Sequence, residues 1–313
     1  MSDAPIVFES LRKTYGDFVA VNDLNLEIKK NSFTGLLGPN GAGKSTSLKI
    51  LTNLITATSG HVYINGNDVA ADPKKALEGV GTVVETPEFY LYLTPRETFR
   101  YVGEILGMSK ESIAAETDGI LEKVKMTDWA DKKLGTFSKG MRQRISLGLS
   151  FLNNPNVIIL DEPTSGLDPR GMAEMREILK NIRRDYNDLT VLMSSHMMHE
   201  VTDLCDRIAM INHGTLILHD DFDKVIEDQD TKVLIVRPLH EPTTEMITDI
   251  SVLPHVVDAR QLGGEISVRF KGEMEDVAAF YKDLAGLKYP ICSMSESPNA
   301  LEDKYLSLVQ ESR

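Results

Sequence analysis

Cysteine is scarce in this chain of 313 residues, which has only Cys205 and Cys292. So few cysteines argue against a disulfide scaffold and against a zinc site built from cysteine ligands. The first residues, Met1 to Pro5, also lack the basic stretch and following apolar stretch of a secretory signal. We therefore expect the chain to reside in the cytosol.

Long apolar runs are absent as well. Hydrophobic residues make up 42% of the sequence and charged residues 26%, which is typical of a globular protein rather than a membrane-embedded one. Apolar runs such as residues 157–160 end at charged residues and fall far short of the roughly 18 to 20 residues that a membrane span needs. We therefore expect that the chain does not cross a membrane by itself.

Positive charge is in deficit too. The chain has 34 lysines and arginines against 47 aspartates and glutamates, a net charge of −13. A protein that wraps nucleic acid neutralises its phosphates with basic residues. The charge balance therefore disfavours nucleic acid as a partner.

What is present over roughly the first 220 residues is an alternation of strand-like apolar runs and helical patterns, which predicts an α/β fold. Residues 34–37 and 157–160 are apolar without alternation, which is typical of strands buried on both faces. The predicted strands are 6–8, 17–21, 24–28, 33–37, 62–64, 80–84, 157–160, 191–194 and 207–211. The predicted helices are 45–54, 95–103, 112–124, 139–152, 170–186 and 199–205.

A second, smaller domain follows. Residues 219–230 are rich in acids and poor in core residues, so we place a linker at 221–230, between a first domain at 1–220 and a second at 231–313. The second domain has the order strand, helix, strand, strand, helix, strand, with Gly263 and Gly264 as a hairpin turn. This order is that of the ferredoxin-like arrangement, although other α+β folds share it. A last helix is predicted at 301–310. The predicted elements between are 232–236, 243–250, 256–260, 265–270, 274–284 and 291–294.

A glycine-rich loop joins a predicted strand to a predicted helix and fits the pattern GxxxxGK[ST]. Its glycines let backbone N–H groups point at phosphate oxygens, and the helix N-terminus adds a positive dipole end. Lys44 is predicted to reach the β- and γ-phosphates, Ser45 to ligate Mg²⁺, and Thr46 to donate to the α-phosphate. An accidental glycine-rich turn is the alternative, which the strand–loop–helix context disfavours. The candidate nucleotide-binding residues here are Gly38, Asn40, Gly41, Gly43, Lys44, Ser45 and Thr46.

The apolar strand at 157–160 runs into two acids, Asp161 and Glu162. A carboxylate at the carboxyl end of a parallel strand lies where α/β sheets bind ligands. We therefore predict that Asp161 holds Mg²⁺ through water and that Glu162 polarises the attacking water. The pair by itself is equally consistent with a solvated strand end, and the glycine-rich loop favours the catalytic interpretation.

With these segments in place, residues 4 to 220 resemble the ATP-binding cassette (ABC) ATPases. Residues 137–141 resemble the signature motif of that family, LSGGQ: Phe, Lys and Met replace its Leu, first Gly and Gln, while Ser138 and Gly140 remain. The resemblance implies that Ser138 and Gly140 bind the γ-phosphate held by the opposite subunit, with the charge of Lys139 nearby. Without the resemblance, Ser138 would be an ordinary helix cap.

Other positions match the family in order. Residues 165–168 resemble the D-loop, which communicates across the dimer and ends at Asp168. His196 ends an apolar strand like the switch histidine that bonds the γ-phosphate, although a lone histidine is more often structural. Tyr15 matches the aromatic residue that stacks on adenine, although a hairpin tyrosine is usually a packing residue.

Glu85 departs from the family, which generally has a glutamine here that contacts Mg²⁺ and senses the membrane subunit. A glutamate resembles the subgroup associated with export of lantibiotics and bacitracin-like peptides. Glu85 can still accept a bond at the metal or its water, but it adds charge. Neutral drift is the alternative. Residues 297–308 resemble the tail of many exporter ATPases that have separate membrane subunits.

The resemblance implies an ATPase that uses ATP and Mg²⁺ to power a membrane transporter and favours an exporter, without identifying the substrate. A single glycine-rich loop implies a homodimer or a pair with a second cassette subunit. A separate transmembrane permease would hold the chain at the cytoplasmic face of the membrane. A non-transport family member acting on nucleic acid or in translation is the alternative, which the net charge disfavours. The ordered motifs leave little room for a kinase or GTPase.

Overall fold

The computed structural model describes residues 4–85, 88–227 and 232–297. The chain divides into two compact units, Met1–Asp221 and Phe222–Arg313, and each is described here by itself. The predicted helix at 301–310 lies outside the described residues. None of the helices in the described ranges combines the length and the apolar character that crossing a bilayer requires.

The elements of the first unit begin with a long hairpin and alternate strands and helices thereafter. Its strands are β1 (Ile6–Tyr15), β2 (Phe18–Ile28), β3 (Phe33–Leu37), β4 (Ser59–Ile64), β5 (Asn67–Asp68), β6 (Val80–Val83), β7 (Val157–Asp161), β8 (Thr190–Ser195), β9 (Arg207–Asn212) and β10 (Thr215–Asp221). Its helices are α1 (Lys44–Leu51), α2 (Pro73–Ala76), α3 (Pro95–Ile105), α4 (Lys110–Lys123), α5 (Lys139–Leu149), α6 (Pro169–Asp185) and α7 (Met198–Leu204). Two short 3-10 helices cover Thr127–Trp129 and Leu134–Thr136.

A six-stranded sheet with the order β10-β9-β3-β8-β7-β6 forms the centre of this unit. β9, β3, β8, β7 and β6 run parallel, and β10 pairs antiparallel with β9. Every residue of β3 and β8 is buried. Strands covered on both faces read as continuous apolar runs, so the predicted α/β fold is confirmed.

The strand order brings three carboxyl ends to one edge of this sheet. In the register of the central strands, Leu37 at the end of β3 pairs with Ser195 of β8, and Asp161 at the end of β7 pairs with Ser194. The glycine-rich loop, the two acids and His196 therefore emerge side by side. This edge is where open α/β sheets bind their ligands.

A second, antiparallel sheet has the order β2-β1-β4-β5. The sequence predicts two strands at 17–21 and 24–28, and this prediction is wrong because β2 is one strand. A change of register against β1 at this point, with Asp23 in the left-handed region at φ 51°, breaks the alternation that a regular strand would show. The two sheets and α1 share one apolar core, which includes Phe8, Leu24, Leu48 and Ile159.

The described part of the predicted linker at 221–230 contains regular secondary structure, and the linker itself stays a prediction. β10 pairs with β9, and a helix, α8 (Phe222–Glu227), belongs to the second unit. β10 was not predicted because acidic residues are unusual in a paired strand. In the structure one of these acids, Asp221, forms an ion pair with Arg207 of β9. The acidic residue Asp221 therefore belongs to a paired strand.

The second unit continues with β11 (Lys232–Pro238), α9 (Thr244–Ser251), β12 (Val256–Leu262), β13 (Glu265–Phe270), α10 (Met274–Gly286) and β14 (Ile291–Glu296). Its sheet has the order β12-β13-β11-β14, with every pair antiparallel. Apolar residues of the sheet, such as Val268 and Phe270, pack with Phe280 of α10 and Ile250 of α9 in one core. The predicted ferredoxin-like arrangement is confirmed.

Candidate functional site

The loop between β3 and α1 has a backbone that only glycine fits. Gly43 has φ 103°, and a Cβ atom there would lie 2.5 Å from the carbonyl oxygen of Ala20. At Gly38 a Cβ atom would lie 2.3 Å from the carbonyl oxygen of Ile211. Since Gly43 occupies the cap position of α1 and has no side chain, the first N–H groups of the helix are left for an anion.

The side chain of Lys44 is buried against this loop and bonds its backbone. Its side chain is 4% exposed, and Nζ donates to the carbonyl oxygens of Gly38, at 2.8 Å, and Pro39, at 3.1 Å. Burial lowers the pKa of Lys44, while the nearby carboxylates of Glu162 and Asp161 act in the opposite direction. The ammonium is thus held over the loop by carbonyl oxygens that phosphate oxygens can replace.

Asp161 collects two hydroxyl donors. Its Oδ1 accepts from Ser45 Oγ at 3.1 Å and from Ser194 Oγ at 2.6 Å. The Ser194 hydroxyl also accepts from the backbone N–H of Glu162 at 2.9 Å. Ser194 is not among the residues predicted from the sequence, although its position two residues before His196 was a signal for it.

The donor set around Asp161 fits Mg²⁺. This ion prefers oxygen ligands, takes one or two from the protein, and completes its shell with water and phosphate oxygens. The hydroxyl of Ser45 and the carboxylate of Asp161 are oxygen donors that already lie within hydrogen-bond distance of each other. These two side chains could therefore hold the ion beside a bound phosphate.

Glu162 stands between two positively charged or hydrogen-bonding groups. Its Oε2 lies 3.2 Å from Nδ1 of His196, and its Oε1 lies 3.5 Å from Nζ of Lys44. Its backbone is in the left-handed region at φ 44°, which is strained for a residue with a side chain and recurs at functional sites. The structure thus brings together a P-loop group, which we define as Lys44, Ser45, Asp161, Glu162 and His196.

Glu85 contacts α1, the helix that begins with Lys44 of this group. Its carboxylate is 57% exposed and forms an ion pair with Lys49, one turn into α1, and this pairing raises the pKa of Lys49. The backbone of Glu85 is also left-handed, at φ 73°. The contact joins the segment after β6 to the helix that begins with Lys44. A direct contact of Glu85 with the metal stays a prediction.

Tyr15 closes the hairpin of β1 and β2 and is 50% exposed. Nζ of Lys13 lies 5.0 Å from the centre of its ring. An exposed ring in this position can stack on a base, and that role stays a prediction.

The remaining predicted residues form a separate signature group, which we define as Ser138, Gly140 and Asp168. The hydroxyl of Ser138 caps α5 by accepting from the N–H of Met141 at 3.2 Å. Asp168 caps α6 in the same way, accepting from the N–H of Gly171 at 3.1 Å, and a Cβ atom on Gly140 would lie 3.9 Å from Cα of Gly171.

Lys139 also belongs to this side of the molecule. Its Nζ donates to the carbonyl oxygen of Ser165 at 3.1 Å, so its charge lies on the neighbouring loop of its own chain. Within the described residues, no hydrogen bond or ion pair links the signature group to residues 38–46. Most of the predicted site residues therefore fall into two groups that no hydrogen bond or ion pair links within the described part of the chain.

Comparison with known protein families identifies one match, to the family described as ABC transporter, over residues 21–165. An uncharacterised ABC transporter ATP-binding protein of Bacillus subtilis (strain 168), YhcH, is 33% identical over 94% of this chain and 92% of its own length. The Nod factor export ATP-binding protein I of Burkholderia orbicola (strain AU 1054) is 33% identical over 98% of each chain. The lantibiotic transport ATP-binding protein SrtF of Streptococcus pyogenes is 37% identical over 69% of this chain and 90% of its own.

Solved structures agree with this grouping. The ATP-binding subunit of an ABC transporter superposes with a TM-score of 0.64 at 25% identity, covering 72% of this chain and 93% of that one. A bacterial ABC transporter cassette solved as a dimer superposes with a TM-score of 0.61 at 26% identity, covering 69% and 98%. In both cases the superposed part is about the length of the first unit.

Proposed function

This chain belongs to the ATP-binding proteins of ABC transporters, and from that premise we propose how its residues bind and hydrolyse ATP to power an exporter. The observation that supports the proposal best is the P-loop group. A buried lysine, a hydroxyl, two carboxylates and a histidine meet at the carboxyl edge of one parallel sheet, beside an uncapped helix N-terminus. This set matches what phosphoryl transfer to water requires.

In the proposed reaction, the N–H groups of the loop and the ammonium of Lys44 bind the phosphates, and Tyr15 stacks on the base. Ser45 and Asp161 would hold Mg²⁺, which supplies positive charge to the β- and γ-phosphates when bound. Glu162 orients a water molecule and takes its proton as the water attacks the γ-phosphorus. His196 holds Glu162 and the γ-phosphate in place while the bond to ADP breaks.

Completion of the site requires a second subunit. The signature group lies apart from the P-loop group in one chain, yet both are needed around the γ-phosphate in the proposed scheme. Two copies of this chain, or one copy and a second cassette subunit, would each contribute one half of every site. The similarity to a cassette that forms a dimer supports this arrangement.

A tyrosine patch offers a surface for a membrane partner. We define it as three exposed residues, Tyr90, Tyr92 and Tyr101. The ring centre of Tyr90 lies 5.7 Å from that of Tyr92 and 5.7 Å from that of Tyr101. Exposed aromatic clusters of this kind mark interaction sites. The patch begins five residues after Glu85 in the sequence. We propose that a separate transmembrane permease binds here and holds the chain at the cytoplasmic face of the membrane.

The exported substrate is proposed only by class. Relatives of this chain serve lantibiotic transport and Nod factor export, and Glu85 resembles the peptide-exporting subgroup. We propose a peptide antibiotic or another small substrate. The comparisons do not support the alternative of a role on nucleic acid or in translation.

Two measurements test this function. Purified chain should hydrolyse ATP only with Mg²⁺, and Lys44→Ala should abolish nucleotide binding, while Lys180→Ala, an exposed lysine on α6, should leave it unchanged. In cells, Tyr92→Asp should release the chain from membranes, whereas Tyr281→Asp, which changes an exposed tyrosine of the second unit, should not. Wild-type chain that binds no ATP would contradict the proposal.

A further inference from the structure

Glu200 is a buried carboxylate on α7 that the proposed mechanism does not use. Its side chain is 2% exposed. It forms no ion pair with any residue in the described part of the chain. A carboxylate removed from water without a counter-ion is unfavourable unless hydrogen-bond donors satisfy its oxygens. The identity of those donors therefore indicates what the residue is for.

Two hydroxyl groups satisfy the two oxygens separately. Thr164 Oγ1 donates to Oε1 of Glu200 at 2.5 Å, and Ser195 Oγ donates to Oε2 at 2.8 Å. Both hydroxyl-bearing residues are 1% exposed, so water does not compete for these bonds. Glu200 thus bridges two chain segments that are 31 residues apart at Thr164 and Ser195.

Each of these segments carries a member of the P-loop group. Thr164 follows Glu162 by two residues, and Ser195 directly precedes His196. Nδ1 of His196 lies 3.2 Å from Oε2 of Glu162. Ser194, one residue before Ser195, donates to Asp161 and accepts from the backbone N–H of Glu162. The same two segments are therefore joined by three sets of contacts: the bonds of Ser194, the contact between Glu162 and His196, and the Glu200 bridge. Of the three, the Glu200 bridge involves the residue farthest along the sequence from the glycine-rich loop.

We propose that Glu200 is a positioning residue for ATP hydrolysis, which sets the distance between Glu162 and His196 by tying together the segments that carry them. The inference rests on the proposed function of the P-loop group. Among the described residues, no hydrogen bond or ion pair joins the Glu200 side chain to the glycine-rich loop or to Lys44, so its loss should affect turnover and spare nucleotide binding. A residue that only stabilised the fold would not separate the two.

The first test is a split between kcat and KM. Glu200→Ala should lower kcat at least about tenfold and change KM for ATP less than about twofold. Glu200→Gln should keep kcat within about threefold of wild type, because its amide oxygen can accept from Thr164 while its NH₂ group donates to Ser195. The control is Asp203→Asn, an exposed carboxylate on the same helix, which should match wild type.

A milder variant guards against misfolding. Thr164→Val removes one hydroxyl and keeps the shape of the side chain, and it should lower kcat in the same direction as Glu200→Ala. Because both changes break the same bridge, the double variant should be no slower than Glu200→Ala alone. Thr202→Val, which removes a hydroxyl that donates to the carbonyl oxygen of Met198 within α7, should leave kcat unchanged.

A spectroscopic readout is independent of turnover. In ¹⁵N-histidine NMR spectra of the folded chain, the His196 signal should shift in Glu200→Ala and Thr164→Val, and stay in place in Asp203→Asn. This result would support the bridge even if wild-type chain failed to hydrolyse ATP, which would count against the proposed function alone. The inference is overturned by a kcat above half of wild type in Glu200→Ala, by Glu200→Gln as slow as Glu200→Ala, or by an unmoved His196 signal.

Discussion

The P-loop group and the signature group differ in how the chain holds them. Members of the P-loop group bond one another directly: Ser45 and Ser194 donate to Asp161, and Glu162 lies between Lys44 and His196. By contrast, the side chains of Ser138 and Asp168 cap α5 and α6, the helices that follow them. The first group is a connected network within one subunit, and the second consists of residues at the starts of two helices.

This difference indicates which steps one subunit can perform alone. A network that is complete in the chain can bind nucleotide in the isolated subunit. The proposed function gives the helix starts at Ser138 and Asp168 a further role, which is to bind a phosphate held by another subunit. Nucleotide binding should therefore depend on the P-loop group, and assembly should depend on both.

The largest effect is expected at Glu162. Glu162→Gln should lower Mg²⁺-dependent ATP hydrolysis at least about a hundredfold and leave ATP binding intact, because only the carboxylate that takes the proton of water is lost. Hydrolysis is measured by phosphate release at saturating ATP. Glu177→Gln, an exposed glutamate of α6, serves as the matched control. Wild-type hydrolysis by Glu162→Gln would remove Glu162 from the mechanism.

The next largest effect is expected in the signature group. Ser138→Arg should block dimer formation driven by ATP, since a long charged side chain intrudes where the opposite subunit places its phosphates. The monomer should still bind ATP, because its P-loop group is untouched. Light scattering with and without ATP, together with a nucleotide-binding titration, measures both properties. Loss of ATP binding in this variant would contradict the separation of the two groups.

A smaller and more selective effect is expected at Glu85, which forms an ion pair with Lys49 on α1. Glu85→Ala should leave ATP affinity nearly unchanged and uncouple transport from hydrolysis. Glu85→Gln should retain much of both, because a side chain of the same shape can still accept a hydrogen bond from Lys49. Transport and ATPase assays on the reconstituted transporter compare the variants. Wild-type coupling in Glu85→Ala would exclude Glu85 from the mechanism.

The smallest effect concerns Ser138 as a helix cap. Ser138→Ala should lower the free energy of unfolding by about 1 kcal/mol, as loss of a serine cap usually does. Ser109→Ala removes an equivalent cap from α4, where the hydroxyl accepts from the N–H of Ser112 at 3.1 Å. Urea unfolding should give similar losses for both variants, and ATP hydrolysis should fall only for Ser138→Ala. Equal ATP hydrolysis by Ser138→Ala and Ser109→Ala would mean that Ser138 acts as a helix cap without a role in hydrolysis.

Local patterns made much of the fold and of the P-loop group predictable. The glycine-rich loop lies within eight consecutive residues, and Asp161 and Glu162 end a run that only a buried strand explains. Ser194 had a signal in its position two residues before His196, but its bond to Asp161, 33 residues away, could not be read from the sequence. The bond between Glu200 and Thr164, 36 residues away, could not be read either, because both bonds depend on β7 lying beside β8. β10 was missed because the acids that suggested a linker are paired in the fold.

The most direct test of the two half-sites is to mix two inactive variants. Lys44→Ala lacks a working P-loop group but keeps Ser138, and Ser138→Arg keeps the P-loop group but lacks a working signature group. If each site combines halves from two chains, the mixture contains one intact composite site, and ATP should drive dimer formation well above that of either variant alone. A mixture that forms no more dimer than its separate components would contradict the account.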